Sequence, residues 1–189
     1  MEIYLIRHST PEIEKGICCG QSDIPLAKSF QKEYNNLMNY VPTSIDVVYT
    51  SPLTRCYEMA TLIKTEKLIT DARLLELNFG DWEMKKWEEI EPLMLNIWMN
   101  DFVNTKVPNG ENFLALYTRV LSFIDDLIKQ PHKNAFIITH AGVIRCFISY
   151  IMDIHLKNAF KINIDYSSVT KIKLEVDKNY NSISYLNKV

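Results

Sequence analysis

No apolar run in the 189-residue sequence approaches the length of a membrane-spanning helix. The opening "MEIYLIRH" turns polar too quickly for a secretory leader. Both absences give the expectation of a cytoplasmic protein. There is little net charge: the formal balance is -2, so no global basic field points to nucleic acid or to an anionic membrane. Any anion site must be a local concentration of positive groups. Cysteine is scarce as well. Cys18, Cys19, Cys56 and Cys146 form no C-x-x-C pair, which suits free thiols in a reducing compartment. His132 and His155 lie in polar stretches without metal-ligand spacing and read as surface residues, so no zinc site is expected. There is no internal repeat, low-complexity tract or linker, and the length suits one domain over 1–189.

The chain does show an alternation of short apolar runs with helical patterns. "EIYLI" (2–6), "DVVYT" (46–50) and "NAFIIT" (134–139) read as buried strands. "PLAKSFQKEYNNLMNYV" reads as a helix with Pro25 in its first turn. "SPLTRCYEMATLIKT" reads as a second, with Ser51 as cap and Pro52 at the start. Residues 71–82 look extended up to a turn at Gly80. Helices are expected over 84–102, from about Glu111 to Lys129, and in "AGVIRCFISYIMDI". "VTKIKLEV" and "SISYLNKV" alternate like two strands of a hairpin. The order predicts an α/β three-layer sandwich with a mostly parallel central sheet flanked by helices, and antiparallel pairing at the C-terminal edge.

In open α/β sheets, ligands bind outside the carboxyl ends of the strands. Arg7 and His8 end the first strand, Arg55 lies one helical turn past the second, and His140 ends the third. Ala141 and Gly142 open the next helix, whose first N–H groups would face an anion. Two arginines, two histidines and a helix N-terminus on one rim repel one another unless a multiply charged anion sits among them. Phosphate fits, because guanidinium forks match its oxygens. Taken singly, each of these residues has an ordinary structural reading; the case rests on their coincidence.

"LIRHST", "TSPLTRCYEMA" and "ITHAGVIR" resemble, in order and spacing, the motifs of the histidine phosphatase superfamily, also called phosphoglycerate mutase-like. "LLELNFGDWEMKKWEEI" and "NIWMNDFVNTKVPNGENFLALYTRV" are similar to segments of its α-ribazole phosphatases, which act in cobalamin nucleotide-loop assembly, and "CCGQSDIPL" resembles their early loop. Ser9 and Met84 stand where glycine is usual in this family, as does Ser29. Glu14 stands where mutases place an asparagine, which disfavours mutase activity.

The resemblance implies a phosphohistidine mechanism without cofactor or metal, acting on a small-molecule phosphate monoester. His8 would be the nucleophile. Arg7, Arg55 and His140 would hold the phosphoryl oxygens, His140 in a protonated or donating form. Glu76 would be the proton donor, a role that partial burial beside Leu75, Leu77 and Phe79 would suit. Glu83 is the rival, read more readily as a support for a turn or an arginine. Gln21 could reach phosphate or ribose. Trp82, Trp87, Trp98 and Phe102 could wall an aromatic alcohol, although core packing is the stronger reading of the last three. "PNGE" (108–111) could form a lid turn, with Glu111 completing the first turn of its helix. The implied reaction is hydrolysis of α-ribazole 5'-phosphate. A broad sugar or nucleotide phosphatase, a phosphoglycerate mutase and a non-catalytic phosphate-binding protein are the alternatives.

Overall fold

A computed structural model describes all residues 1–189. Six strands form one sheet: β1 (Glu2–Arg7), β2 (Val47–Thr50), β3 (Leu68–Thr70), β4 (Asn134–Thr139), β5 (Val169–Lys173) and β6 (Ser182–Lys188), in the order β3-β2-β4-β1-β5-β6. β3, β2, β4 and β1 run parallel, and β5 and β6 add antiparallel pairs. Five α-helices accompany them: α1 (Phe30–Leu37), α2 (Thr54–Thr61), α3 (Pro92–Asn100), α4 (Phe113–Leu127) and α5 (Ala141–Ile151). None is long and apolar enough to cross a membrane.

Strand periodicity divides the core. Ile3 and Leu5 of β1, with Ala135 and Ile137 of β4, face α4 and α5. Tyr4, Ile6, Phe136 and Ile138 face α1 and α2. These strands are apolar on both faces because helices cover both, which gives the expected three layers. The α4/α5 side gathers 29 buried residues against 12 on the other, so it is the thicker core and also holds Trp82 and Trp98.

Several boundaries differ from the sequence reading. Pro25 lies outside a helix: Glu12 N–H donates to its carbonyl and Ala27 N–H to that of Thr10, so this stretch pairs with the loop after β1 and α1 begins at Phe30. β3, three residues long, carries too little pattern to be read from sequence. Residues 71–82 are largely irregular, with short 3-10 turns at Ala72–Leu74 and Gly80–Trp82. The 84–102 segment is helical only over Pro92–Asn100, apart from a 3-10 turn at Trp87–Glu89. Pro92 lacks an N–H and suits a first turn, and Glu91 caps it by accepting from Leu93 and Met94 N–H. Met84 sits at φ 64, the left-handed region that explains why glycine is usual there.

Candidate active site

Sheet order brings the site together. β4 lies between β2 and β1, and the ladder continues past the strands: His8 N–H donates to Thr139 O and Ser51 N–H to Ile138 O, each at 3.0 Å. Ser51, His140 and His8 therefore stand side by side. The His8 and His140 rings are 5.1 Å apart, and His140 Nε2 lies 2.8 Å from Ser51 Oγ. Ser51 thus serves the site; α2 is held instead by Asp23, which accepts from Thr54 N–H and Oγ.

His8 is 4% exposed and His140 fully buried. His8 Nδ1 is 2.7 Å from the Ser9 carbonyl. A carbonyl only accepts, so Nδ1 carries the proton and Nε2 keeps its lone pair. Burial, then the charges of Arg55 and Arg7, push the His8 pKa well below the ordinary histidine range. Burial, then His8 and both arginines, does the same to His140. Both rings are neutral at neutral pH. A protonated His140 is therefore not the resting form; a bound dianion would have to supply the compensating charge.

Neither Arg7 nor Arg55 has a carboxylate partner. Arg55 is fully buried; its Nη atoms donate to the carbonyls of Ser22 and Gly20, each at 2.7 Å. Arg7 donates to Ile164 O at 2.6 Å, with its guanidinium 3.6 Å from the Tyr166 ring centroid. The Nε of each is buried without an acceptor. A fully buried and a half-buried cation, both lacking counter-charge, are costly unless an anion completes them.

Glu76 is placed from several sides. Arg119 of α4 donates to the carbonyls of Arg73, Leu75 and Glu76, and Gln21 Nε2 also donates to Glu76 O at 2.9 Å. The Glu76 carboxylate accepts from Leu77 N–H at 2.9 Å and from Gly142 N–H at 3.2 Å. This corrects the expected role of Gly142: its N–H, at the start of α5, faces this carboxylate instead of a ligand. A Cβ there would lie 2.2 Å from Glu76 Oε1, so a larger residue would push the carboxylate end aside. Ala141, beside it, is buried. Gln21 is likewise tied to the Glu76 backbone. The charges of Glu76, Arg7 and Arg55 all reach the Cys19 thiol and the Tyr166 phenol, so carboxylate and cations border one space.

Other residues enter that the sequence did not single out. Tyr166 flanks His8, with ring centroids 5.4 Å apart. Ser9 fits in place of glycine because its hydroxyl meets Ser167 Oγ at 2.7 Å, and Ser167 in turn donates to Glu33. The signal for 165–168 lay in the antiparallel register: Val169 pairs with Ile6, so the residues just before β5 must reach the rim. Glu83 is a staple, as its alternative reading had it. It accepts from the N–H groups of Gln21, Ser22 and Phe79 and from Ser22 Oγ, fixing the loop whose carbonyls hold Arg55.

The aromatic residues divide. Trp82 is buried, edge-on to Trp87 and Trp98, which removes it as a substrate wall. Trp87, Trp98 and Phe102 pack on the core and also line, with Phe79 and Phe160, an open groove of about 540 Å³. The "PNGE" turn is no lid. Pro108 O accepts from Asp81 N–H, Glu111 N–H donates to Asn78 O, and Glu111 pairs with Arg119. Glu111 lies ahead of α4, whose cap is Asn112.

A neutral histidine with one free nitrogen, beside two unpaired guanidinium groups at parallel strand ends, defines a phosphoryl-handling α/β protein. The family model of the histidine phosphatase superfamily (branch 1) matches residues 3–188, and the chain belongs to that superfamily. A Hydrogenobacter thermophilus protein assigned as phosphoserine phosphatase 2 is 31% identical over 196 residues, covering 99% of this chain and 95% of its own. Phosphoserine phosphatase 1 of the same organism is 24% identical, over 95% of this chain and 89% of its own. The crystal structure of the α-ribazole phosphatase from Shigella flexneri superposes with a TM-score of 0.89 at 27% identity, covering 100% of this chain and 96% of that one.

Proposed function

We propose that this protein is a cytoplasmic phosphomonoesterase that works through a phosphohistidine on His8, and that α-ribazole 5'-phosphate is its substrate. The observation that carries the chemistry is the neutral His8, its proton fixed on Nδ1, beside the fully buried Arg55 and the half-buried Arg7, whose Nε atoms are both buried without an acceptor. His8 Nε2 attacks phosphorus in line. A P–N bond forms as the ester P–O bond breaks, and Glu76 gives its proton to the departing alkoxide. Water then attacks phosphorus, Glu76 recovers a proton, and the P–N bond breaks to release phosphate and free His8. Arg7, Arg55 and His140 hold the oxygens throughout, since phosphoryl transfer depends on placement and charge stabilisation.

The α-ribazole assignment is supported by the motif order around "FGDWE" and by the chain-long likeness to the Shigella flexneri enzyme. The second reading, a small charged ester such as phosphoserine, is favoured by the Hydrogenobacter relatives and by Arg145. That side chain makes one hydrogen bond, from Nε to Ile162 O, and its charge interacts with those of Glu76 and Arg7. The test is phosphate release, with a chelator present, from α-ribazole 5'-phosphate, phosphoserine, 3-phosphoglycerate and a panel of sugar phosphates and nucleotides. Preference for α-ribazole 5'-phosphate by orders of magnitude upholds the reading. Preference for phosphoserine replaces the substrate and keeps the chemistry. Absence of turnover on every ester refutes the enzyme reading.

A further inference from the structure

We infer that Glu33 is a positioning residue for the nucleophile: acting through the Ser9–Thr10 peptide unit, its carboxylate holds the His8 ring with the proton on Nδ1 and Nε2 free. The catalytic consequence rests on the phosphohistidine reading; the chain of contacts does not. The Ser9 carbonyl accepts from His8 Nδ1 at 2.7 Å. The N–H of the same peptide unit, that of Thr10, donates to Glu33 Oε2 at 2.8 Å. The chain has no cis peptide bond, and a trans unit is planar with its C=O and N–H pointing opposite ways. One rigid group therefore joins the ring to the carboxylate. A backbone N–H bonded to a carboxylate makes a charge-assisted hydrogen bond, and hydrogen bonds in series polarise one another. Glu33 makes Ser9 O a better acceptor, and a better acceptor keeps the histidine proton on Nδ1.

A second tether leads to the same carboxylate. Ser167 Oγ donates to Glu33 Oε2 at 3.1 Å. Its one hydrogen is spent there, so Ser9 Oγ is the donor in their 2.7 Å contact. Both hydroxyl protons point toward Glu33 and away from His8. Ser167 has φ 55, a conformation that residues other than glycine keep only where their surroundings impose it, and its N–H donates to His8 O at 3.2 Å. Residues 8, 9 and 10 are thus each bonded to Ser167 or to Glu33. Glu33 forms no ion pair. Burial alone would raise its pKa, but hydrogen bonds from Ser29, Thr10 and Ser167 outweigh it and hold the carboxyl below the ordinary range. Glu33 also lies in the first turn of α1, where a carboxylate suits the helix dipole. That role asks for charge alone, whereas the peptide contact asks for reach.

Substitutions separate the two. Glu33→Asp keeps the charge and withdraws it from the Thr10 N–H by one methylene. Glu33→Gln keeps the reach, and its carbonyl oxygen can accept the same N–H. On 4-nitrophenyl phosphate, Glu33→Ala should lower kcat about 10²-fold and Glu33→Asp about tenfold, while Glu33→Gln stays within about threefold of the wild type. KM should change little, because Arg7 and Arg55 are untouched. The resting protein gives a readout that needs no turnover. With ¹⁵N-labelled histidine, and His8→Gln to assign the signal, His8 should be the Nδ1–H tautomer in the wild type and in Glu33→Gln. It should be a mixture of tautomers in Glu33→Ala and Glu33→Asp. The inference is overturned if Glu33→Asp keeps wild-type kcat, if Glu33→Gln is impaired more than Glu33→Asp, or if the His8 tautomer is the same in all variants. Should Glu33→Ala fail to fold, Glu33→Asp and Glu33→Gln still decide. If the wild type turns over no ester, the phosphohistidine reading fails, and the tautomer shift alone upholds or sinks the positioning role.

Discussion

The rim bearing Arg7, His8 and His140 is made of strand ends, while the aromatic groove is made of short turns and one helix. On the rim, backbone pairing dictates position: His8 and Ser51 each continue a ladder bond with β4, and neighbouring side chains converge because neighbouring strands do. Around the groove, position comes from side chains: Glu83, Glu111 and Arg119 bond to the backbone of residues 73–79. The rim is polar, buried and uniform in its demand for an oxyanion. The groove is apolar and open, and its shape can change without touching the sheet. In the proposed mechanism the chemistry falls to the strand-end rim, the part of the fold that is hardest to vary. Glu76 belongs with the part that side chains place, since Arg119 and Gln21 hold its backbone.

Substitutions can test this division. His8→Ala removes the nucleophile and should lower kcat by about 10⁴-fold or more, with the far-ultraviolet circular dichroism of a folded protein; comparable turnover in the variant would place the chemistry elsewhere. Glu76→Gln should cost about 10²–10⁴-fold on alkyl esters. The loss should be far smaller on 4-nitrophenyl phosphate, whose leaving group needs no proton, and equal losses on both would deny Glu76 the acid role. Gly142→Ala pushes a Cβ against Glu76 Oε1 and leaves the arginines in place. A displacement of this kind should cost about 10²-fold in kcat, with inhibition by free phosphate retained. Loss of phosphate inhibition in that variant would join rim and acid into one unit and break the division.

The smallest effect is on stability. Folding lowers the pKa of His8 and of His140, so below the unfolded histidine value, about 6.5, the unfolded chain binds protons that the folded chain does not. Stability should therefore fall as pH drops through that value, each histidine adding a slope of at most about 1.4 kcal/mol per pH unit. Urea titrations at pH 7 and pH 5.5 should show a shallower slope for His8→Gln than for the wild type. Identical slopes would mean His8 is charged in the folded protein.

The same contrast explains what could be read from sequence. β4 matches its sequence reading at both ends, and α5 at its start, because an apolar strand between polar flanks has little freedom and a helix must follow. His8, Arg7, Arg55 and His140 could be placed together from topology alone. The partner of the Gly142 N–H could not, since Glu76 lies 66 positions away and no local pattern points to it. Nor could Tyr166 and Ser167, which reach His8 only through the antiparallel entry of β5. The 71–102 stretch was the poorest reading: its turns follow from Gly80 and Pro92 and from the distant staples Glu83 and Glu111 more than from any periodicity. Trp82 and Trp87 are each followed by glutamate in a charged stretch, yet the first is core and the second lines the groove.

The central claim is that a neutral His8 accepts the phosphoryl group on Nε2. Rapid acid- and base-quenched turnover of the wild type, followed by peptide mass spectrometry and ³¹P spectroscopy of the trapped enzyme, tests it directly. The expected result is an acid-labile, base-stable phosphoryl group on His8 with the signature of the Nε2 isomer. A phosphoryl group on Nδ1, on another residue, or absent while turnover proceeds would contradict the account.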